Sequence, residues 1–199
     1  MKIVDCFMYF DEDMMLDLRL NVLDKYVSNF IVCEATFNHK GIKKELNFDI
    51  NNFAKFKDKI SYLILDKQPE TIRKIYEKDN QENKSSKILD NAINRDVAQR
   101  NHLYEKIKDF DDEDLILIND IDEIPNLELF SYKNKITIFK QKMFYYKFNL
   151  VYPNFVWMGS KICKKKHLIS PQWLRSIKSK KYSWWRLDSL FSKKKIHEC

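Results

Sequence analysis

Short apolar runs alternate with amphipathic stretches over the first 118 residues. Four runs have the length and the β-branched or aromatic content of strands, and the last of them suits a central strand buried on both faces. They are residues 2–10, 30–35, 60–65 and 115–118. Between them, apolar residues recur at the helical period, first at Met15, Leu18, Val22 and Tyr26 and again over residues 87–108. This alternation predicts an α/β domain with a largely parallel central sheet.

Three stretches depart from this pattern. Residues 68–86 are polar, charged and only weakly periodic, which predicts a surface excursion. Residues 135–148 and 155–162 are rich in β-branched and aromatic side chains. We expect them to form strands of a more mixed sheet that folds back over the end of residues 115–118.

Acidic residues follow the fourth run at once. Asp120, Asp122 and Glu123 come where the strand is expected to end, and Pro125 stops its ladder because proline has no amide hydrogen. In open α/β sheets the ligand crevice lies outside the carboxyl ends of the strands. Clustered carboxylates suit a hard cation such as Mg²⁺ or Mn²⁺. The segment therefore predicts a divalent-cation site, and a solvated acidic turn before a short helix at residues 127–130 stays open as the alternative.

Charge divides the chain into two unlike parts. Residues 131–199 contain 17 Lys and Arg and two acids, a balance of +15, whereas residues 1–130 have a balance of −8. The basic part predicts an anionic partner, which is a nucleotide's phosphates, an anionic lipid surface or a nucleic acid. A surface that is simply rich in lysine is the alternative.

Cysteine spacing and hydropathy exclude several classes of protein. The four cysteines show no C-x-x-C spacing, which argues against a zinc site or a disulfide framework. The first residues lack the apolar core of a signal peptide, and no apolar stretch has the roughly 18 residues of a transmembrane helix. We therefore expect a cytoplasmic protein.

Polar residues before the fourth run supply further candidates. Arg95 and Gln99 are four residues apart, as are Asp96 and Arg100, so each pair shares a helix face. An arginine at this position can reach a diphosphate, which its planar fork suits. A surface ion pair between Asp96 and Arg100 is the alternative.

His39, Glu34 and the tryptophans are weaker candidates. His39 with Glu34 suggests acid–base chemistry, although a lone loop histidine is more often solvated or structural. Tryptophans can stack on sugar rings, although packing in the core is the commoner role. They are Trp157, Trp173, Trp184 and Trp185.

Four segments together resemble glycosyltransferase family 17, whose members include the β-1,4-mannosyl-glycoprotein 4-β-N-acetylglucosaminyltransferase. They read MKIVDCFMYFDEDMMLDLRLNVL, FIVCEATFNHKG, RDVAQRN and LILINDIDEIP. The resemblance covers residues 1–138 and continues more weakly, through an F-Y-Y-x-x-N and a W-x-G pattern, to Gly159. Four motifs in the same order are far more specific than D-x-D alone.

The resemblance implies a GT-A-type, Rossmann-like nucleotide-sugar-binding domain with a mixed, mainly parallel central sheet. It also implies a UDP-sugar donor (UDP-GlcNAc in the animal members), Mn²⁺ or Mg²⁺, and inversion at the anomeric carbon. Asp120 and Asp122 match the D-x-D acids, so we expect Asp122 to hold the ion and Asp120 to contact both the ion and the ribose or donor sugar. The residues expected to bind the donor are Glu34, His39, Arg95, Gln99, Arg100 and Asp120.

The resemblance is weakest on the acceptor side. Similar proteins contain a late G-W-H-F-S segment, which this chain lacks, and residues 195–199 stand about where that segment would begin. We expect a truncated form or a diverged acceptor side. An inverting enzyme needs a general base for the acceptor hydroxyl, and the candidates are Glu123 and Asp188. We expect one domain over residues 1–199, with a donor-nucleotide half at 1–130 and a basic, acceptor-side half at 131–199.

The expected function is metal-dependent, inverting transfer of GlcNAc or a related hexose from a UDP-sugar to a glycan or a lipid-linked sugar. We expect the basic half to contact an anionic membrane peripherally, and no role for nucleic acid. One rival is a metal-dependent nucleotidyltransferase or phosphohydrolase, with further carboxylates from Asp5, Glu34 and Asp66. The other is a non-catalytic module that binds anionic ligands and loses them at high salt.

Overall fold

A six-stranded sheet forms the centre of the protein, in a computed structural model that describes residues 1–147 and 149–178. Its strands are β1 (Ile3–Tyr9), β2 (Asn29–Ala35), β3 (Ile60–Leu65), β4 (Leu115–Ile118), β5 (Ile136–Ile138) and β8 (Lys161–Lys164), in the order β3-β2-β1-β4-β8-β5. The first four are parallel, and β8 runs antiparallel to both β4 and β5. The predicted α/β fold with a mixed, mainly parallel sheet is confirmed.

The helices lie between the strands and after them. They are α1 (Asp13–Leu23), α2 (Gln81–His102), α3 (Tyr104–Ile107) and α4 (Pro171–Ser176), with 3-10 turns at Ile50–Lys59 and Lys165–His167. The prediction of one helix over residues 87–108 was wrong at its start and near its end. Asn80 caps α2 by accepting a hydrogen bond from the Asn83 amide, so the helix begins inside the expected surface excursion. Its first turns are exposed and therefore carry little apolar periodicity.

Two apolar clusters cover the two faces of the sheet. Successive side chains of a strand point to opposite faces, so Leu115 and Leu117 of β4 enter one cluster, while Ile116 and Ile118 enter the other. The first cluster includes α1, and the second includes the turn from α2 into α3 and part of α4. The unbroken apolar run of β4 follows from burial on both faces.

A buried ion pair links β1 to the loop that follows β4. Asp5 and Arg19 are both 0% exposed, and two bonds of 2.7 Å join the guanidinium to the carboxylate. Arg19 also donates to the carbonyl oxygens of Ile121 (3.1 Å) and Glu123 (2.8 Å). Burial raises the pKa of Asp5, while Arg19 opposes that shift. Asp5 therefore supports the loop from inside the sheet and does not stand at a strand end.

A second, two-stranded sheet forms a hairpin beside the central one. Its strands are β6 (Gln141–Phe144) and β7 (Val151–Trp157), which are antiparallel. The two expected segments at 135–148 and 155–162 are thus divided among four strands, because β5 and β8 join the central sheet and β6 and β7 leave it. No helix in the two described ranges is long and apolar enough to cross a membrane.

Candidate functional site

The acidic loop lies at the carboxyl end of β4 and forms a wall between two cavities. Asp120 and Asp122 line both of them. The first cavity has a volume of about 490 Å³ and is bounded by Glu123, the start of α1 and the β6–β7 hairpin. The second has a volume of about 470 Å³ and is bounded by the end of β1, by His39 and by one face of α2. The second cavity opens between β1 and β4, where the strand order reverses, the usual ligand position in such sheets.

Two arginines hold the Asp120 carboxylate from opposite sides. Arg100 of α2 donates to Oδ1 at 3.1 Å, and Arg175 of α4 donates to Oδ2 at 2.5 Å. The Asp120 side chain remains 35% exposed. Asp122 is exposed, and within the described residues its carboxylate enters no hydrogen bond or ion pair. The two D-x-D acids therefore differ, since one is neutralised by the protein and the other is open to a ligand.

Glu123 is a buried carboxylate with a full set of donors. Its Oε1 accepts from Arg175 Nη2 at 2.8 Å and from Trp157 Nε1 at 2.5 Å, and its Oε2 accepts from the Asp120 amide at 3.1 Å. Burial raises the pKa of Glu123, and the neighbouring charge of Asp120 raises it further. A Cβ at Gly159 would lie 1.8 Å from Glu123 Oε1. In the W-x-G pattern, Trp157 therefore donates a hydrogen bond to Glu123, and Gly159 leaves room for the Glu123 carboxylate.

The Q-R-N segment fastens α4 to the acidic loop. Arg100 contacts Gln172 Oε1 at 2.5 Å as well as Asp120, and Asn101 Oδ1 accepts from the Gln172 amide at 3.0 Å. Gln99 Nε2 donates to the Cys33 carbonyl at 2.8 Å, which ties α2 to the end of β2. Arg100 also makes the ion pair with Asp96 at 2.8 Å that the sequence offered as the alternative, while its contact with a diphosphate stays a prediction.

Glu34 anchors the loop that follows β2. Its buried Oε1 accepts from the Asn47 amide at 2.8 Å and from the Lys44 ammonium. Its Oε2 accepts from the Tyr62 hydroxyl at 2.7 Å and from the Phe48 amide at 3.1 Å. These four donors belong to the loop and to β3. Glu34, which the sequence predicts to bind the nucleotide sugar, is therefore hydrogen-bonded to other residues of the protein.

Arg95 lies against the His39-to-Gly41 end of the segment FIVCEATFNHKG. Its Nη1 donates to the His39 carbonyl at 3.0 Å, and its Nε donates to Gln68 Oε1 at 2.9 Å. Gly41 has a φ of +81°, and a Cβ there would lie 2.3 Å from Arg95 Nη2. The glycine therefore permits both the turn and the close approach of Arg95. The exposed His39 side chain borders the second cavity.

Two cationic residues of the site were missed at the level of sequence. They are Arg175, which bridges Asp120 and Glu123, and Lys161, whose ammonium donates to the carbonyls of Gly159 at 3.2 Å and Arg175 at 2.5 Å. Lys161 is 3% exposed, and burial, aided by the charge of Arg175, lowers its pKa to about 8. The Ser-Pro pair at 170–171 signals the start of α4. Nothing in the pattern indicates that this helix returns to the acidic loop.

The carboxylates required by a nucleotidyltransferase or phosphohydrolase are not gathered around the acidic loop. Asp5 is paired with Arg19, and Glu34 is engaged by its loop. Asp66 is exposed beyond β3, which β2 and β1 separate from β4. Asp188, Trp184 and Trp185 lie outside the described residues.

The chemistry of the acidic loop fits a cation that is shared with a diphosphate. Among residues 1–147 and 149–178, no three His, Cys, Asp or Glu side chains are arranged to hold a metal ion by themselves. Mg²⁺ in nucleotide sites is typically bound by one or two carboxylates, with phosphate and water oxygens completing its shell. Asp122 offers an open carboxylate, and Asp120 is partly exposed beside it.

Comparison with known families identifies the chain. The model described as Glycosyltransferase family 17 matches residues 1–167. The chain belongs to glycosyltransferase family 17. It is therefore a glycosyltransferase, and the family implies a nucleotide-sugar donor and a glycan acceptor. No curated protein matches the chain individually. The family 17 match includes the acidic loop, the Q-R-N segment and the W-x-G pattern, and it ends before Arg175 of α4.

Proposed function

We propose that this family 17 enzyme is a metal-dependent, inverting glycosyltransferase that transfers GlcNAc or a related hexose from a UDP-sugar to a glycan or a lipid-linked sugar. The observation that carries the proposal is the wall formed by Asp120 and Asp122 between two cavities. A donor lying across this wall has its nucleotide in the cavity at the end of β1. Its sugar then reaches the cavity beside the hairpin, where the acceptor binds.

The cavity at the end of β1 suits a nucleoside because aromatic rings, a side-chain amide and a guanidinium line it. Tyr9, His39, Gln99 and Arg100 all line it. Its volume of about 470 Å³ lies within the range of small-molecule sites, roughly 300–1,000 Å³. We assign the base and ribose to this cavity, with Asp120 contacting the ribose or the donor sugar.

Asp122 is the proposed principal protein ligand of Mn²⁺ or Mg²⁺, with Asp120 beside it. A bound divalent cation supplies Lewis-acid neutralisation of the diphosphate leaving group. Asp122 suits this role because its carboxylate is exposed and unengaged within the described residues. Asp120 has its charge already offset by Arg100 and Arg175, which leaves it better suited to a hydroxyl group.

Arg100 and Arg175 are the proposed protein groups that stabilise the departing UDP. A guanidinium matches a diphosphate in charge and geometry, and fixed charges at a leaving group are a major source of rate enhancement. Both arginines already lie at the acidic loop, held by Gln172 and Lys161 through α4. They are therefore positioned before the donor arrives.

Glu123 is the proposed general base, and Asp188 remains a prediction outside the described residues. The acceptor oxygen forms a bond to the anomeric carbon while the bond from that carbon to the diphosphate oxygen breaks. The hydroxyl proton passes to the base, and UDP leaves with the bonding pair. A carboxylate with a raised pKa is the stronger base, and Glu123 borders the acceptor cavity.

Calorimetric titration with UDP and UDP-GlcNAc, in Mn²⁺ and in EDTA, tests the donor site. We expect Mn²⁺-dependent binding that weakens about tenfold or more in Asp122→Asn, a loss of roughly 1.4 kcal/mol. The matched control is Asp66→Asn, an exposed acid at the end of β3. A UDP affinity that neither EDTA nor Asp122→Asn lowers from the wild-type value in Mn²⁺ would overturn the metal assignment. Binding that vanishes at high salt yet ignores Asp122→Asn would favour the non-catalytic anionic-ligand module.

A second titration tests the diphosphate role of Arg175. Arg175→Gln removes the guanidinium charge, so UDP affinity is expected to fall about tenfold while uridine affinity is unchanged. Arg73→Gln, at an exposed ion pair with Asp90, is the matched control. An equal loss for uridine and UDP would instead indicate that Arg175 only maintains the fold of the site.

The proposal extends to the surroundings of the enzyme. We propose a peripheral contact between the basic half and an anionic membrane, a cytoplasmic location, and no nucleic-acid partner. The division into a donor half at 1–130 and an acceptor half at 131–199 also remains a proposal.

A further inference from the structure

The β6–β7 hairpin carries apolar side chains that no described element covers. All seven residues of β7 are exposed, although neighbouring side chains of a strand point to opposite faces. The exposed apolar residues of the turn and of β7 are Tyr145, Tyr146, Leu150, Val151, Tyr152, Phe155, Val156 and Trp157. A lone two-stranded hairpin is marginally stable in water, and contiguous exposed apolar patches mark interaction sites. Among the described residues, this apolar surface of the hairpin is therefore open to a partner.

Charge on and around the hairpin selects the class of partner. Residues 131–178 contain eleven Lys and Arg and no Asp or Glu. Lys142 and Lys147 belong to the hairpin itself, next to its tyrosines. Tyr and Trp mixed with Lys is the composition of segments that lie in the headgroup region of a bilayer. Anionic lipid attracts such lysines, whereas a neutral glycan would gain nothing from them.

The hairpin also borders the acceptor cavity. Lys142, Tyr146 and Trp157 line the cavity of about 490 Å³ together with Asp122 and Glu123. Trp157 donates to Glu123, so the base of the hairpin is fixed to the site. A lipid surface that contacts the hairpin is thereby brought next to the residues proposed for chemistry.

We propose that the β6–β7 hairpin docks on an anionic bilayer, with its aromatic side chains among the headgroups, and that this contact delivers a lipid-linked sugar to the acceptor cavity. The delivery step rests on the proposed function. The docking step locates the proposed membrane contact on the hairpin and does not depend on the assigned reaction, because it is argued only from the hairpin's exposed apolar and cationic side chains.

Co-sedimentation of the full chain with vesicles tests the docking. The vesicles are phosphatidylcholine alone, or phosphatidylcholine with one third phosphatidylglycerol. We expect binding to the anionic vesicles alone, reduced about tenfold in Tyr146→Ser/Tyr152→Ser and in Lys142→Gln/Lys147→Gln. Leu129→Ser, which changes an 85% exposed side chain elsewhere, and Lys67→Gln/Lys74→Gln, which makes the same charge change in residues 1–130, are expected to bind like wild type.

Three outcomes would overturn the docking. They are no binding to anionic vesicles, equal loss in the two control variants, and a dimer in sedimentation velocity that Tyr146→Ser/Tyr152→Ser abolishes in the absence of vesicle binding. The last outcome would identify a second copy as the occupant. UDP titration of the wild type without vesicles separates this proposal from the donor site. Wild-type binding to anionic vesicles with no binding of UDP contradicts the proposed function alone, whereas UDP binding with no vesicle binding contradicts the docking alone.

Discussion

The acidic loop after β4 and the β6–β7 hairpin border one cavity and are built in opposite ways. In the loop, the Arg19 guanidinium donates a hydrogen bond to the Glu123 carbonyl, and the carboxylates of Asp120 and Glu123 both form ion pairs with Arg175. In the hairpin, apolar side chains on both strand faces are exposed, and Tyr146 is 97% exposed. Chemistry requires side chains fixed in place, because small displacements of reacting groups are costly. Binding to a surface instead requires exposed side chains that the partner can cover.

Breaking the support of the acidic loop is expected to have the largest effect. Arg19→Met leaves the Asp5 carboxylate buried and unpaired, so the free energy of unfolding is expected to fall by about 3–5 kcal/mol. Urea denaturation measures the change. Arg73→Met breaks an exposed pair and is expected to cost less than about 1 kcal/mol. Equal losses in the two variants would contradict the structural role of the buried pair.

Filling the space beside Glu123 is expected to have the next largest effect. The added Cβ of Gly159→Ala meets the Glu123 carboxylate, and such overpacking costs about 1–3 kcal/mol. Transferase activity is expected to fall as well, because Glu123 must move. Adding Glu123→Ala removes the collision, so the double variant is expected to regain part of the lost unfolding free energy. Additive losses would show that backbone strain, rather than Glu123, limits this position.

The buried ammonium of Lys161 is expected to give a smaller, pH-dependent effect. Its pKa is about 8 in the folded protein against an ordinary value of 10.5, so the unfolded chain binds more protons between these values. The unfolding free energy that Lys161 contributes therefore rises with pH across this window. The measurement is the difference in unfolding free energy between wild type and Lys161→Met at several pH values. Arg175, Glu123, Asp120 and Arg100 supply the nearby charges. A difference in unfolding free energy that does not change with pH would contradict the lowered pKa of Lys161.

Changing the hairpin surface is expected to have the smallest effect on stability. Tyr146→Ser alters a side chain that is almost fully exposed, so the free energy of unfolding is expected to stay within about 0.5 kcal/mol of wild type. Thermal and urea denaturation check this value. A loss of several kcal/mol would show that the hairpin is part of the folded core, which would remove the contrast with the acidic loop.

Much of the central sheet and the position of the acidic loop followed from local pattern. The β4 run is apolar throughout because both faces are buried, and Asp120 and Asp122 follow it because the strand ends there. Boundaries were less predictable where burial was slight. The first turns of α2 are polar and exposed, so their sequence resembles that of a loop, and the cap at Asn80 decides where the helix begins.

The sequence by itself determined the α/β class, a largely parallel sheet and the acidic loop, because hydrophobic period and strand-end chemistry are local properties. Only the tertiary structure decided which charges meet. Arg175 lies 55 residues after Asp120, and Arg19 lies 101 residues before it. Such pairs depend on how α1, α4 and β4 pack around the sheet, and no period in the chain encodes that contact. The tertiary structure likewise decided that each of the two aromatic segments divides between a strand of the central sheet and a strand of the β6–β7 hairpin.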